Sequence, residues 1–167
     1  MLLDNALNGY WIEDPSQREN MNSFLYEMGM AWFKRSYADS TFWQTELHAK
    51  LEDKKVSIDG LRGPFSEPYH YVLKLDNQTL AEMDIGNEFG GMTQATAEMY
   101  SNSLIIYVLK PGSSDNLFTV TYNVDLSDID TLHIDTTHFD SNVVWKTVYK
   151  RKTAEETNKE EEELETW

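Results

Sequence analysis

The strongest constraint on how this chain folds is a two-residue period. Over residues 117–125, Phe118, Val120, Tyr122 and Val124 alternate with Thr119, Thr121, Asn123 and Asp125. Successive side chains of a strand point to opposite faces, so this pattern predicts one apolar face and one wet face. Val143, Trp145, Thr147 and Tyr149 alternate likewise with Val144, Lys146, Val148 and Lys150, and Leu132 and Ile134 with His133 and Asp135. Residues 103–109 are apolar almost throughout, and Pro111-Gly-Ser-Ser-Asp-Asn after them reads as a hairpin loop. Residues 9–12, 42–51, 56–61, 69–75, 79–85 and 95–100 complete a count of about ten strands. The body of the chain is therefore expected to be mainly β and antiparallel.

One segment breaks the period. In residues 20–37, Met21, Phe24, Leu25 and Met28 recur at helical spacing, and Gly29 interrupts before a second apolar group. Two short helices about a glycine are expected, the first capped by Asn20 or Asn22.

Charge and cysteine content narrow the function. The 167 residues suit one domain, and 14 Lys and Arg against 29 Asp and Glu give a formal charge of −15, which repels phosphate backbones and anionic bilayers. Nucleic acid is not expected as a partner. Residues 153–167 hold seven Glu and one Lys, so the preceding 152 residues carry about −9. This acidic tail is expected to be disordered or partly helical and solubilising, with a segment for a protein partner ending in Leu164 and Trp167 as the alternative. With no cysteine there is no disulfide and no thiol nucleophile, and no stretch is apolar enough to span a bilayer as a helix. A soluble, cytoplasmic monomer is the expectation.

Catalytic motifs do not stand out. There is no Gly-rich phosphate loop or nucleophile elbow, and Asp125, Asp128 and Asp130 lack the glycine and terminal glutamate of a calcium loop. His133 and Asp135 belong to the outer face of their strand, while His48 and His70 read as ordinary strand histidines. No enzyme activity, cofactor or metal is expected.

The order of features resembles the intracellular lipid-binding family that includes the fatty-acid-binding proteins. Gly9-Tyr10-Trp11 opens a strand, a helical hairpin follows, and the last strand carries Tyr149. Residues 20–29, NMNSFLYEMG, are similar to the family's helix opening, and Ile85-Gly86-Asn87-Glu88-Phe89 to its bend between two middle strands, with Leu75-Asp76-Asn77 a competing match. The resemblance spans residues 8–150 and implies an up-and-down β-barrel, or clam, capped by a helix-turn-helix and holding one small hydrophobic ligand. Residues 38–55 look like an extra stretch relative to the family.

The resemblance also locates a departure. The family commonly holds a ligand carboxylate with two inward arginines and a tyrosine; here Thr147 and Tyr122 stand at the arginine positions and Tyr149 remains. A carboxylate buried without a cation is very costly, so an uncharged or weakly polar ligand is expected, with Tyr122 and Tyr149 as hydrogen-bond donors. Trp145, Thr147, Phe118 and Val120 would line the wall, and Met21, Phe24, Leu25 and Met30 the portal. Residues 18–39 have no net charge, so membrane contact is expected to be weak at most. The competing expectation is a barrel filled by its own large side chains, acting as an interaction scaffold through its tail or the inserted stretch.

Overall fold

A computed structural model describes residues 6–152. Ten antiparallel strands follow in the order β1 Gly9–Glu13, β2 Glu46–Glu52, β3 Lys55–Arg62, β4 Glu67–Lys74, β5 Ala81–Asp84, β6 Met92–Tyr100, β7 Ser103–Leu109, β8 Asn116–Asp125, β9 Asp128–His138 and β10 Val144–Arg151. They form one sheet ordered β4-β3-β2-β1-β10-β9-β8-β7-β6-β5. Each strand pairs with its sequence neighbour except at two places: β1 pairs with β10, which curls the sheet round, and β4 and β5 form the two ends. The seam between those ends is crossed by Asn77, whose N–H donates to the Ala97 carbonyl at 2.8 Å, and by Arg62 Nη2, which donates to the Asp84 carbonyl at 2.9 Å.

The alternation read in the sequence sets the inner face. Leu104, Ile106 and Val108 of β7 are fully buried, opposite Tyr122, Val120 and Phe118 of β8. Across β9 the inner row continues through Leu132, Ile134 and Thr136 to Tyr149, Thr147 and Trp145 of β10. His133 is exposed on the outer face, as its position in the alternation requires.

The two ends of the barrel differ. One is plugged: Trp11 is fully buried, its indole N–H donates to the Leu7 carbonyl at 2.9 Å, and the Arg151 guanidinium lies 4.2 Å over its ring. Arg151 also donates to the carbonyls of Asn8, Ala6 and Ile129, which fastens the start of the described chain to β9 and β10.

The other end is capped by α1 Met21–Glu27 and α2 Trp32–Ser40, joined through Gly29 at φ +87°. That left-handed backbone is open to glycine at little cost, hence the break seen in the sequence. Asn20 occupies the cap position of α1, but its side chain makes no capping bond; it is itself left-handed at φ +64°. Asn22 instead accepts from Arg35 Nε at 2.8 Å, tying the first helix to the second.

Helices of seven and nine residues are too short to be stable alone. They are held by Met21, Phe24, Leu25 and Ala38, which pack with Trp43 as a small core of their own against Met28, Met30, Phe118 and Trp145. No described helix is long and apolar enough to cross a membrane.

Residues 38–55 are not an insertion. They form the end of α2, the run into β2, all of β2 and the turn to β3, so the scaffold reading loses the inserted stretch as its working part. Ile85–Phe89 lies in the turn between β5 and β6, whereas Leu75-Asp76-Asn77 lies between β4 and β5. The acidic tail from residue 153 lies outside the described residues.

Candidate functional site in the barrel lumen

Four tyrosines face one another inside the barrel. Tyr69 and Tyr71 project from β4, Tyr122 from β8 and Tyr149 from β10. The hydroxyls of Tyr71 and Tyr122 are 3.0 Å apart, although their strands are not neighbours in the sheet, so this bond crosses the lumen. Tyr69 and Tyr71 stack with ring centres 5.8 Å apart.

Burial, the largest influence on each, pushes the Tyr122 and Tyr149 hydroxyls well above the ordinary tyrosine value and raises Tyr69 and Tyr71 as well. The mutual proximity of the tyrosines adds to the rise at Tyr69 and Tyr122. Burial thus favours their neutral O–H form, which both donates and accepts hydrogen bonds.

Two of the four, Tyr122 and Tyr149, are legible from the sequence. Tyr69 and Tyr71 are not singled out there, although their spacing within one strand run places both on a single face.

A buried ion pair adjoins Tyr149. Glu13 lies directly across from Tyr149 in the β1–β10 register and is almost wholly buried. Arg18 closes on it with two bonds, Nε to Oε2 at 2.6 Å and Nη2 to Oε1 at 2.7 Å. The same Nη2 donates to the Trp43 carbonyl at 2.7 Å, and the guanidinium lies 3.6 Å over the Trp43 ring. The Thr45 amide donates to Glu13 Oε1 at 3.2 Å.

A cation is therefore present near the tyrosines, but in a position the sequence does not reveal. Arg18 sits beyond β1, in the short turn before α1, and its charge is already matched. A second arginine, Arg62, stands at the rim over the Tyr69 ring, 5.3 Å from its centre, and bonds across the seam.

The remaining expected residues divide by position. Thr147 is buried and its hydroxyl donates to the Ile134 carbonyl at 2.8 Å, so only its methyl group faces the lumen unengaged. Phe118 and Val120 face inward and keep some accessible surface, unlike the fully buried Leu104 and Ile106 opposite. Phe24 meets Phe118 edge-on at 6.1 Å and Trp145 at 5.7 Å, which seats α1 directly over this wall. Met21, Phe24 and Leu25 are buried in the cap, with Met30 packed against them. The accessible inner surface is thus near the cap, while the plugged end is a closed core.

Contacts between the cap and the loops beside it form the rim. Lys34 of α2 pairs with Glu88 in the β5–β6 turn. Tyr37 of α2 stacks on Phe65 of the β3–β4 turn at 5.7 Å. Trp32, Phe33 and Phe65 are each more than half exposed, an aromatic rim that counting charges did not disclose. An open surface depression of about 550 Å³ lies beside Gly60 and Tyr69, and a half-open one of about 270 Å³ beside Arg18, Met21 and Asp39.

No family model matches the sequence, and no curated protein matches it. Solved structures match in shape. A fatty acid transporter designated REP1-NXSQ is 18% identical, with a TM-score of 0.68 over 89% of this chain and 98% of that one. A tyrosine-to-phenylalanine mutant of that transporter gives the same identity and TM-score. Apo lipid binding protein 8 of Caenorhabditis elegans is 14% identical, with a TM-score of 0.69 over 91% of this chain and 99% of that one. The strand order, the helical cap and these likenesses together establish that this chain has the fold of the fatty-acid-binding, lipid-carrying barrels.

Proposed function

We propose that this chain binds and carries a small, uncharged hydrophobic molecule inside the barrel and catalyses nothing. The observation that carries this reading is the pairing of polar groups around the lumen: four neutral tyrosine hydroxyls, beside an arginine already neutralised by Glu13. A ligand carboxylate arriving there would add a negative charge next to a buried carboxylate, with the nearest guanidinium engaged. Stranding that charge is costly. A carbonyl, ester or hydroxyl needs only a donor, and Tyr122 and Tyr149 supply one each.

Apolar burial provides most of the affinity, at roughly 25 cal/mol per Å². Phe118, Val120, Trp145 and the Thr147 methyl form the wall in this reading, and Met21, Phe24, Leu25 and Met30 the underside of a two-helix portal. The short, poorly capped helices suit a portal because they open at low cost.

Solvent extraction of the purified protein followed by mass spectrometry tests the proposal. A stoichiometric neutral lipid is expected; a fatty acid as the sole extracted lipid contradicts it. Tyr149→Phe should weaken binding of a neutral ester about fivefold to tenfold without changing the fold, as expected for one lost hydrogen bond. Equal affinity removes Tyr149 from the polar site. The filled-barrel reading is favoured by the Tyr71–Tyr122 contact across the lumen; it predicts no extracted lipid and no saturable uptake of any probe.

The tyrosines carry a pH prediction. Their hydroxyls are raised above the ordinary value of 10.0 in the folded protein, so the stability they contribute is complete below pH 10 and is lost as pH rises beyond it. Alkaline titration should show tyrosinate absorbance from the buried groups appearing together with loss of the native circular dichroism. Ionisation of all nine tyrosines near pH 10 with the fold intact would contradict this.

A further inference from the structure

Trp145 has a polar group with nothing to bond. Among the described residues its indole Nε1 is the one buried side-chain nitrogen or oxygen without a hydrogen-bond partner. The ring lies on the lumen face of β10, in line with Thr147 and Tyr149, and packs under α1 against Phe24 at 5.7 Å. Phe24 is tilted 43° to it.

An unpaired buried donor is destabilising, and a phenylalanine would fill an apolar wall without that cost. Directly across on β9 stands Thr136, also facing inward and only half-buried. A hydroxyl-bearing residue thus holds the cross-strand position next to Trp145.

We infer that the Trp145 indole N–H, with Thr136 beside it, forms a second polar subsite at the helix-capped end of the lumen, taking a hydrogen-bond acceptor on the ligand. The inference rests on the carrier reading above and specifies its ligand further. Trp145 lies four residues from Tyr149 on one strand, about 13 Å at the usual rise per residue. The ligand is then an apolar chain with an uncharged acceptor at each end, one met by the tyrosines and the other by Trp145.

Two probes of equal chain length separate the ideas: methyl dodecanoate, with one polar end, and methyl ω-hydroxydodecanoate, with two. Each is titrated as a competitor of bound Nile red, a neutral environment-sensitive dye. The wild-type protein is expected to bind the hydroxy ester roughly fivefold to tenfold more tightly. Trp145→Phe should abolish that preference, read as the ratio of the two affinities within the variant, whatever the loss of the indole from the wall does to both esters.

A second readout does not depend on a substituted protein. The Trp145 indole proton should move downfield in the nuclear magnetic resonance spectrum on adding the hydroxy ester, and not on adding the plain ester. No preference in the wild type, a preference surviving in Trp145→Phe, or an unmoved indole proton overturns the subsite while the carrier reading stands. Failure of the wild type to take up either ester or the dye overturns the carrier reading, and this one with it.

Discussion

Replacing Glu13 by Met is expected to do two things at once: to lower stability by about 3–5 kcal/mol, and to turn the lumen toward carboxylates. The stability loss follows from stranding Arg18, whose Nε and Nη2 both donate to Glu13 at 2.6–2.7 Å while its side chain is only 12% exposed. Arg18→Met should cost a similar amount by leaving Glu13 with only the Thr45 amide. The double replacement should cost less than either alone, because no charge is then buried unpaired. Urea unfolding of the four proteins measures this coupling.

The functional half of the prediction is sharper. In Glu13→Met the Arg18 guanidinium keeps its Trp43 contacts but loses its carboxylate partner, so palmitate should bind on the order of tenfold more tightly than to the wild type. A neutral ester should change little. Unchanged palmitate affinity in a folded Glu13→Met protein would mean that Arg18 does not reach the ligand.

Gly60→Ala should be among the most damaging single substitutions in the chain. A Cβ placed there falls 1.9 Å from the Glu46 carbonyl oxygen and 2.9 Å from the Leu47 Cα. These are backbone atoms of the paired strand, so no side-chain rotation relieves the contact, and β2 and β3 must part. A loss of about 3 kcal/mol or more is expected in denaturant unfolding, at the upper end of overpacking effects. Gly60 pairs with Leu47 on one side and Tyr69 on the other, so the damage should extend to the tyrosine cluster and to ligand binding. A folded Gly60→Ala protein of wild-type stability would show that the strands separate here at no cost.

Most of the architecture was legible because it depends on local pattern. Strand alternation is a property of neighbouring residues, and it placed Phe118, Val120, Tyr122, Trp145 and Tyr149 on inner faces. The helical hairpin announced itself by a change of period and a glycine. What local pattern could not supply was the partner of each polar group.

No local pattern singles out Glu13; Arg18, five residues on, folds back on it under Trp43. Tyr71 and Tyr122 are 51 residues apart in sequence and meet only because the sheet closes on itself. Residues 38–55 looked like an insertion because neither the end of α2 nor the start of β2 carries a clean alternation; only pairing with β1 and β3 fixes that register. Thr147 and Tyr122 stand where the resemblance would place arginines, and the arginine paired with Glu13, Arg18, lies in a turn with no periodicity to mark it.

The central claim is that this lumen prefers uncharged ligands, and the most direct test is a competition on the delipidated wild-type protein at neutral pH. Nile red is bound first, then displaced by palmitate, by methyl palmitate or by hexadecanol. The account predicts saturable displacement, with the ester and the alcohol acting at concentrations at least about tenfold lower than palmitate, the factor that about 1.4 kcal/mol of unpaired charge imposes. Palmitate displacing the dye at the lowest concentration of the three would contradict it.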